Sequence, residues 1–414
     1  MSILLLRAAV LAAAGVTAFL PPFASADPLS LDQALSLAVQ RSEAARAGRA
    51  ASDGARAAAQ AAGQQPDPTL RAGIDNLPVA GADRFSTTRD SMTMKRVGMS
   101  QEWLSADKRA AREAAAQAMA AREAVMASAA EADTRLQTAQ AYLDAWFADA
   151  SVQLGVEAEH HAHEALDAAR ARLAAGAAGS PEVLQLQAAQ GLAEDDSEEA
   201  RQQQTAALLA LQRWTGVMPD ALLPLPAWII PTEDDYLARA PAWTVRQREI
   251  GAARTAAAVT AQDRHTNWTW EASYGQRTGY SNMVSVGVSI PLPIAPSQRQ
   301  DRDLASKLAL VEKAEADAAE AQRAARLEYQ TLRSEAERLQ QRLDRYQAAV
   351  VLPSRQRTEA ALAAYRSNLA PLSTVFEARH MELDAQRRQL QLRRELGRVQ
   401  VQLVFKPIAA GAFQ

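Results

Sequence analysis

The sequence predicts a mainly α-helical protein with a small β part, organised as two structural repeats. Hydrophobic residues make up 48% of the 414 residues but aromatic residues only 5%, and this alanine-rich bias is typical of long, closely packed helices. Long stretches of Ala, Gln, Glu and Arg run in helical spacing with few helix-breaking residues. Short stretches with alternating apolar and polar residues interrupt these helices in two places, as β-strands with one apolar face do.

The first 26 residues have the features of a secretory signal peptide. Arg7 precedes an apolar run from Ala8 to Leu20, and Ala24-Ser25-Ala26 forms a small-x-small cleavage site before Asp27. A membrane anchor is the alternative, but the run is too short to span a bilayer. We therefore expect cleavage at or near Asp27 and export from the cytoplasm.

Charge and cysteine content exclude several classes of protein. A formal net charge of -3 leaves no basic excess, so binding to nucleic acid is not expected. The absence of cysteine excludes a disulfide framework, a thiolate metal site and an acylated N-terminal cysteine. No later segment approaches 18 uninterrupted apolar residues, so any membrane-spanning part has to consist of strands.

The first repeat covers residues 27–214 and is dominated by one very long helix. Hardly a breaker occurs from Ser105 to Ala175, so we expect a helix of about 70 residues, or about 105 Å. The predicted elements are a helix from Ser30 to Ala62, strands at about 69–77 and 91–103, the long helix, a turn, and a return helix from Pro181 to Trp214.

The same order returns in residues 232–404, after a Pro-rich connector at 215–231. An offset of 192 residues places Gly176 on Asn368, and both residue types readily adopt the left-handed conformation that ends a helix. Pro353 is expected to kink the second long helix or to widen its packing locally. The predicted elements are a helix from Glu233 to Asp263, strands at about 267–276 and 282–291, a long helix from Ser297 to Ser367, a return helix to Val404, and a tail at 405–414.

The strands of the second repeat each have one apolar face and one polar face. A flap packed on the helices and a membrane-spanning hairpin both fit this pattern, and about ten residues per strand suit a tilted membrane strand. Four strands cannot close a barrel, so membrane insertion requires several copies to combine their strands. In the first repeat the apolar face switches between Met94 and Val97, where we expect a β-bulge. The candidate lipid-facing residues are Trp268, Trp270, Tyr274, Val284, Val286 and Val288.

Three segments resemble the TolC family of outer-membrane efflux proteins: LSLDQALSLAVQRS, VSIPLPI and VLPSRQRTEAALAAYRSNLAPLSTVFEARHMELDAQ. This resemblance implies a homotrimer in the outer membrane of a Gram-negative bacterium, with a twelve-stranded barrel continued by a periplasmic helical tunnel of coiled-coil helices. It also implies two partners, a periplasmic adaptor and an inner-membrane pump of the resistance-nodulation-division type. The segment from Pro66 to Trp103 is similar to heavy-metal efflux members, which favours metal cations as the exported solute.

The resemblance places functional residues at the periplasmic tip, where each long helix turns into its return helix. Glu377 matches the gate carboxylate of the family, Thr374 stands where a second acidic residue is usual, and Glu182 is the candidate from the first repeat. A ring of three carboxylates in a narrow pore favours cations, whereas ordinary solvated charges at a helix end are the alternative. The residues of the turns, which are also candidate adaptor contacts, are Gly176, Gly179, Ser180, Pro181, Asn368, Leu369 and Pro371.

Other motifs carry less functional information. His160 and His163 share a helix face and are weak candidates for a metal site, although such a pair in a polar stretch is more often a solvated surface. Ser105 and Lys108 match the S-x-x-K of penicillin-interacting enzymes, but the other motifs of those enzymes are absent. We therefore expect neither catalytic activity nor a cofactor. The alternatives to a metal channel are a channel for organic solutes and a soluble periplasmic coiled-coil scaffold or adaptor.

Overall fold

A computed structural model describes residues 28–177 and 179–410. The expected signal peptide at 1–26 and the last four residues of the tail lie outside the described residues. The helices are α1 (Leu31–Arg41), α2 (Glu43–Ala62), α3 (Ala106–Ala174), α4 (Ser180–Thr215), α5 (Glu233–Arg239), α6 (Pro241–Gln262), α7 (Gln300–Tyr346), α8 (Leu352–Arg366) and α9 (Leu372–Phe405). The strands are β1 (Thr69–Asp75), β2 (Met94–Trp103), β3 (Trp268–Gln276) and β4 (Met283–Ser289).

Two helices expected to be continuous are each divided in two. Ser42 is extended (φ -65°, ψ 115°), and its hydroxyl accepts a hydrogen bond from the Ala45 amide, so it ends α1 and caps α2. In the second repeat Ala240 is extended because Pro241 follows it, and α6 begins at that proline. The predictions of single helices from 30 to 62 and from 233 to 263 were therefore wrong at these two positions.

The four strands form one antiparallel sheet in the order β1-β2-β3-β4. The central pair, β2 and β3, joins the two repeats, and β1 and β4 are the free edges within the chain. The β1–β2 ladder runs without interruption from Thr69↔Ser100 to Asp75↔Met94. The bulge expected between Met94 and Val97 is therefore absent. Met94 instead lies on the polar face, where its sulfur packs closely against Gly275.

The largest apolar core lies where α1, α3, α4 and α9 meet the connector. Leu29 forms a parallel bridge with Leu222, and the buried Tyr142 hydroxyl lies 2.8 Å from the carbonyl oxygens of both Leu29 and Leu223. Burial raises the pKa of Tyr142 to about 12. Helix α9 can approach α3 closely because Gly397 faces Leu143 without a side chain.

The second long helix changes its winding before Pro353. Residues Gln347–Val351 form a π-turn between α7 and α8. A proline inside a helix lacks an amide hydrogen and its ring crowds the carbonyl four residues earlier, and a π-turn is one way to accommodate this. The irregularity expected at Pro353 is thus present, immediately before the proline itself. The Gln389 side chain of α9 donates a hydrogen bond to the Gln347 side chain within this turn.

A buried lysine joins the sheet to the helices. The Lys108 side chain is only 5% exposed; its ammonium lies 3.1 Å from the Asp263 carboxylate and donates to the Asn267 side-chain oxygen (2.9 Å) and the His265 carbonyl (3.1 Å). Its backbone amide donates to the Ser105 hydroxyl, which caps α3. The S-x-x-K motif is therefore a helix cap and a structural ion pair that links the two repeats.

In the part of the chain that the structure describes, no helix combines the length and the apolar character that crossing a membrane requires.

Candidate functional site

One face of the sheet is apolar and exposed across all four strands. The register aligns Val97 with Ala72 and Tyr274, and Tyr274 with Val284, so the apolar positions form continuous rows. Five of the six candidate lipid-facing residues are exposed, with Val286 at 77%, whereas Trp270 is half-buried. The residues of this apolar face are Leu70, Ala72, Ile74, Lys95, Val97, Met99, Gln101, Trp103, Trp268, Trp270, Ala272, Tyr274, Gln276, Val284, Val286 and Val288.

The opposite face is polar, and it is closely packed along the two central strands, β2 and β3. Arg96 binds Asp75 at 2.8 Å, and Gly98 lies so near Ser273 that an added Cβ would be 2.7 Å from the serine Cβ. On β2 and β3, small residues are in close contact on the polar face and large residues are exposed on the apolar face, as in a sheet that curls towards its polar side. A flap packed on the helices would bury the apolar face, and this sheet exposes it.

The apolar face has polar or aromatic rows at both ends. Trp103 and Trp268 pair at the end near the helices, with ring centroids 6.2 Å apart. Lys95 pairs with Gln276 at the end near the hairpin loops. Eight residue steps separate these rows, or roughly 27 Å along the strand at about 3.4 Å per residue. Tilted strands of that length match an apolar band of about 25 Å or slightly less.

The two tip turns have the same hydrogen-bonding pattern, as the 192-residue offset predicts. Gly176 and Asn368 both adopt positive φ, +70° and +57°. The next residue in each turn donates to a carbonyl five residues earlier: Ala177 to Arg172 and Leu369 to Ala364. This is the Schellman motif, which satisfies the last carbonyls of a helix. The return helices then begin at equivalent positions, after the extended caps Gly179 and Pro371.

The gate candidates differ in their surroundings. Glu377 is exposed in the first two turns of α9, and Thr374 is half-buried beside it. Glu182 occupies the position equivalent to Thr374 in α4, but it forms an ion pair with Arg172 at 3.1 Å. Its charge is therefore largely compensated within the chain, and Glu377 is the more exposed of the two carboxylates. Ser180, Pro181 and the tip residue Leu369 are exposed.

The histidine pair lies on an exposed part of α3. His160 lies 3.4 Å from Glu164 and His163 lies 3.3 Å from Asp167, each one helical turn away. Among the described residues, no group of three or more His, Asp or Glu side chains is arranged to hold a metal ion. These are side-chain contacts between residues one turn apart on the surface of a single helix.

A cavity of about 290 Å³ near the tip was not anticipated from the sequence. It lies between α3, α4, α8 and α9, and Arg379 reaches across it to contact His161 and Glu164. The hydrogen bond from His161 lowers the pKa of Glu164. Arg379 and His161 are 218 residues apart and belong to different repeats, so no local pattern could reveal their contact.

Comparisons with known proteins identify the fold. No protein-family model and no curated protein match the sequence. Solved structures do match. The outer membrane protein VceC of the bacterial pathogen Vibrio cholerae is 20% identical, with a TM-score of 0.74 over 91% of this chain and 95% of VceC.

Two further structures agree with this match. The open state of the outer-membrane channel MtrE of Neisseria gonorrhoeae is 15% identical, with a TM-score of 0.76 over 91% of this chain and 88% of MtrE. CusC, whose structures describe conformational changes accompanying folding and transmembrane channel formation, is 15% identical, with a TM-score of 0.74 over 91% of both chains. The chain therefore has the fold of TolC-like outer-membrane channels.

Proposed function

We propose that this protein is the outer-membrane channel of a tripartite efflux system, a passive exit duct that performs no chemistry. The observation that carries the proposal is the apolar face, which is exposed over all four strands although its two edges are unpaired within the chain. Such a surface is stable in lipid only when the strands close into a barrel. Three copies supply twelve strands, and α3, about 100 Å long, extends the barrel as a tunnel.

The exported solute and the partners are further parts of the proposal. We infer heavy-metal cations as cargo from the resemblance of residues 66–103 to metal-efflux channels, and an inner-membrane pump with a periplasmic adaptor as partners. Channels for organic solutes share the same fold. A deletion strain tested against Cu, Ag, Zn, Co and Cd beside a panel of organic drugs separates the two, since sensitivity to organic compounds alone would exclude the metal assignment.

A pair of neighbouring substitutions tests the membrane-facing role of the sheet. Val286 points to the apolar face and Ser285 to the polar face. An arginine near the middle of the bilayer costs about 2–4 kcal/mol on the lipid face of a barrel and much less in the lumen. We expect Val286→Arg to reduce insertion of refolded trimers into lipid vesicles, and Ser285→Arg to leave insertion nearly unchanged. Equal behaviour of the two variants, or a wild-type protein that stays soluble without detergent, would support the periplasmic scaffold instead.

The gate is tested at Glu377. In a closed trimer its three carboxylates would surround the tip and attract cations. We expect Glu377→Gln to lower the cation-to-anion permeability ratio of reconstituted trimers. Glu395 is a matched control because it lies five helical turns along the same face of α9, about 27 Å from Glu377 and farther from the tip. If Glu395→Gln changes selectivity as much as Glu377→Gln does, the constriction is not at the tip.

A further inference from the structure

The apolar face of the sheet carries a single charged residue, Lys95. The other charged residues of the strands lie on the polar face, as the register shows. An ammonium group on a surface that contacts lipid is costly unless it reaches water or an anion. The position of Lys95 therefore requires an explanation. The charged residues of the polar face are Arg71, Asp75, Arg96, Glu102 and Glu271.

Lys95 lies in the last row before the hairpin loops. It pairs with Ile74 on one side and Gln276 on the other. All helices join the sheet at the opposite end, so this row is the one farthest from the helical part. If the helices are periplasmic, as the proposed function requires, Lys95 lies at the level of the outer-leaflet headgroups.

The described part of the chain supplies no anion to Lys95. None of its ion pairs includes this residue, and Asp75, at the end of the neighbouring strand, faces the other side and binds Arg96 at 2.8 Å. Tyr274 lies one row deeper on the apolar face, and its hydroxyl accepts a hydrogen bond from Asn282 at 2.6 Å. The ammonium thus has polar groups on the side of the hairpin loops and an apolar surface on the side of the helices.

We propose that Lys95, together with the amide of Gln276, binds the phosphate group of an outer-leaflet lipid, three times per trimer. The inference rests on the proposed channel function. An ammonium is a compact point charge that suits a phosphate, and the lysine stem can lie along the apolar surface while its head reaches the headgroups. The occupant is a lipid and not free phosphate, because the acyl chains then cover Ile74 beside the charge and Val97 and Tyr274 in the next row towards the helices.

Native mass spectrometry of trimers in detergent tests the proposal. Wild-type protein, Lys95→Gln and Lys95→Arg are each offered equal amounts of phosphorylated lipid A and the same lipid A with its phosphates removed. Lys307→Gln is the control, because Lys307 is an exposed lysine on α7. We expect wild type, Lys95→Arg and the control to retain the phosphorylated lipid preferentially. In Lys95→Gln, the ratio of phosphorylated to dephosphorylated lipid retained should be about five-fold lower per site.

The outcomes separate this inference from the proposed function. Equal retention of both lipids by wild type, or an unchanged preference in Lys95→Gln, would overturn the lipid site, as would complete displacement of the lipid by inorganic phosphate. Conductance is recorded on the same trimers after reconstitution. Conducting trimers without a phosphate preference refute only the lipid site, whereas a protein that forms no conducting trimers in any lipid refutes the channel function as well.

Discussion

Replacing Tyr142 by phenylalanine tests how the segment before α1 and the connector are held in the core. The ring is fully buried, and its hydroxyl lies 2.8 Å from the carbonyl oxygens of Leu29 and Leu223. The Leu29 carbonyl also accepts from the Leu223 amide at 3.0 Å, so it keeps a partner in the variant. The Leu223 carbonyl loses the hydroxyl. Leu223 is partly exposed, so water can replace the hydroxyl there, and the variant loses the net contribution of one hydrogen bond. Such a bond contributes about 0.5–1.5 kcal/mol, so we expect Tyr142→Phe to lower the free energy of unfolding by that amount at pH 7.

The free energy of unfolding of Tyr142→Phe is expected to depend less on pH in the alkaline range than that of the wild type. Burial raises the pKa of Tyr142 from 10.0 to about 12, so between these values the unfolded chain releases a proton that the folded chain retains. The stabilisation is therefore fully present below pH 10 and is lost as the pH rises towards 12, at about 1.4 kcal/mol per pH unit. Phenylalanine has no such proton. The stability difference between wild type and variant should narrow above pH 10.

Urea unfolding followed by tryptophan fluorescence measures both effects, since Trp146 and Trp228 pack against this core. Protein concentration has to be constant, because assembly into the proposed trimer would make the stability depend on it. Tyr280→Phe, at an exposed loop position, is the control and should shift nothing. The reasoning fails if Tyr142→Phe unfolds at the wild-type urea concentration at pH 7, or if its deficit stays the same up to pH 11.

Two further predictions concern the junction and the tip. Lys108→Met should lower the free energy of unfolding by about 1–3 kcal/mol and increase proteolysis at the base of the sheet, because Asp263, His265 and Asn267 lose their partner. Lys307→Met is the control and should change neither quantity. A Lys108→Met protein as resistant to proteolysis as the wild type would show that Lys108 does not hold the sheet to the helices. Because His161 lowers the pKa of Glu164 below 4.5, the contact of Glu164 with α9 should persist until the pH falls through that lowered value. Spin-label distances between α3 and α9 measure this contact. His161→Gln should move the pH at which the contact is lost to a higher value, whereas His163→Gln should leave it unchanged. Identical pH profiles for the wild type and His161→Gln would show that His161 does not control Glu164.

Local sequence patterns were sufficient wherever one segment decides its own structure. Gly176 and Asn368 end their helices in the left-handed conformation because few other residue types adopt it at low cost. The alternation in β3 and β4 likewise predicted their apolar faces. The same reasoning was wrong at Met94, because a shift in the apolar pattern has two explanations: a bulge, or a methionine on the polar face. The neighbour Gly275, which decides between them, comes from the other repeat.

The sequence by itself determined the duplicated order of elements, the great length of the helices, the turns at the tip and the amphipathic character of the strands. These features depend on propensity and periodicity, which act over a few residues. Only the tertiary structure decided that all four strands expose one apolar face, that Lys108 joins the repeats, that Arg172 neutralises Glu182 and that Arg379 meets His161. Each of these depends on groups brought together from distant parts of the chain, where packing and charge pairing act but no local pattern records them.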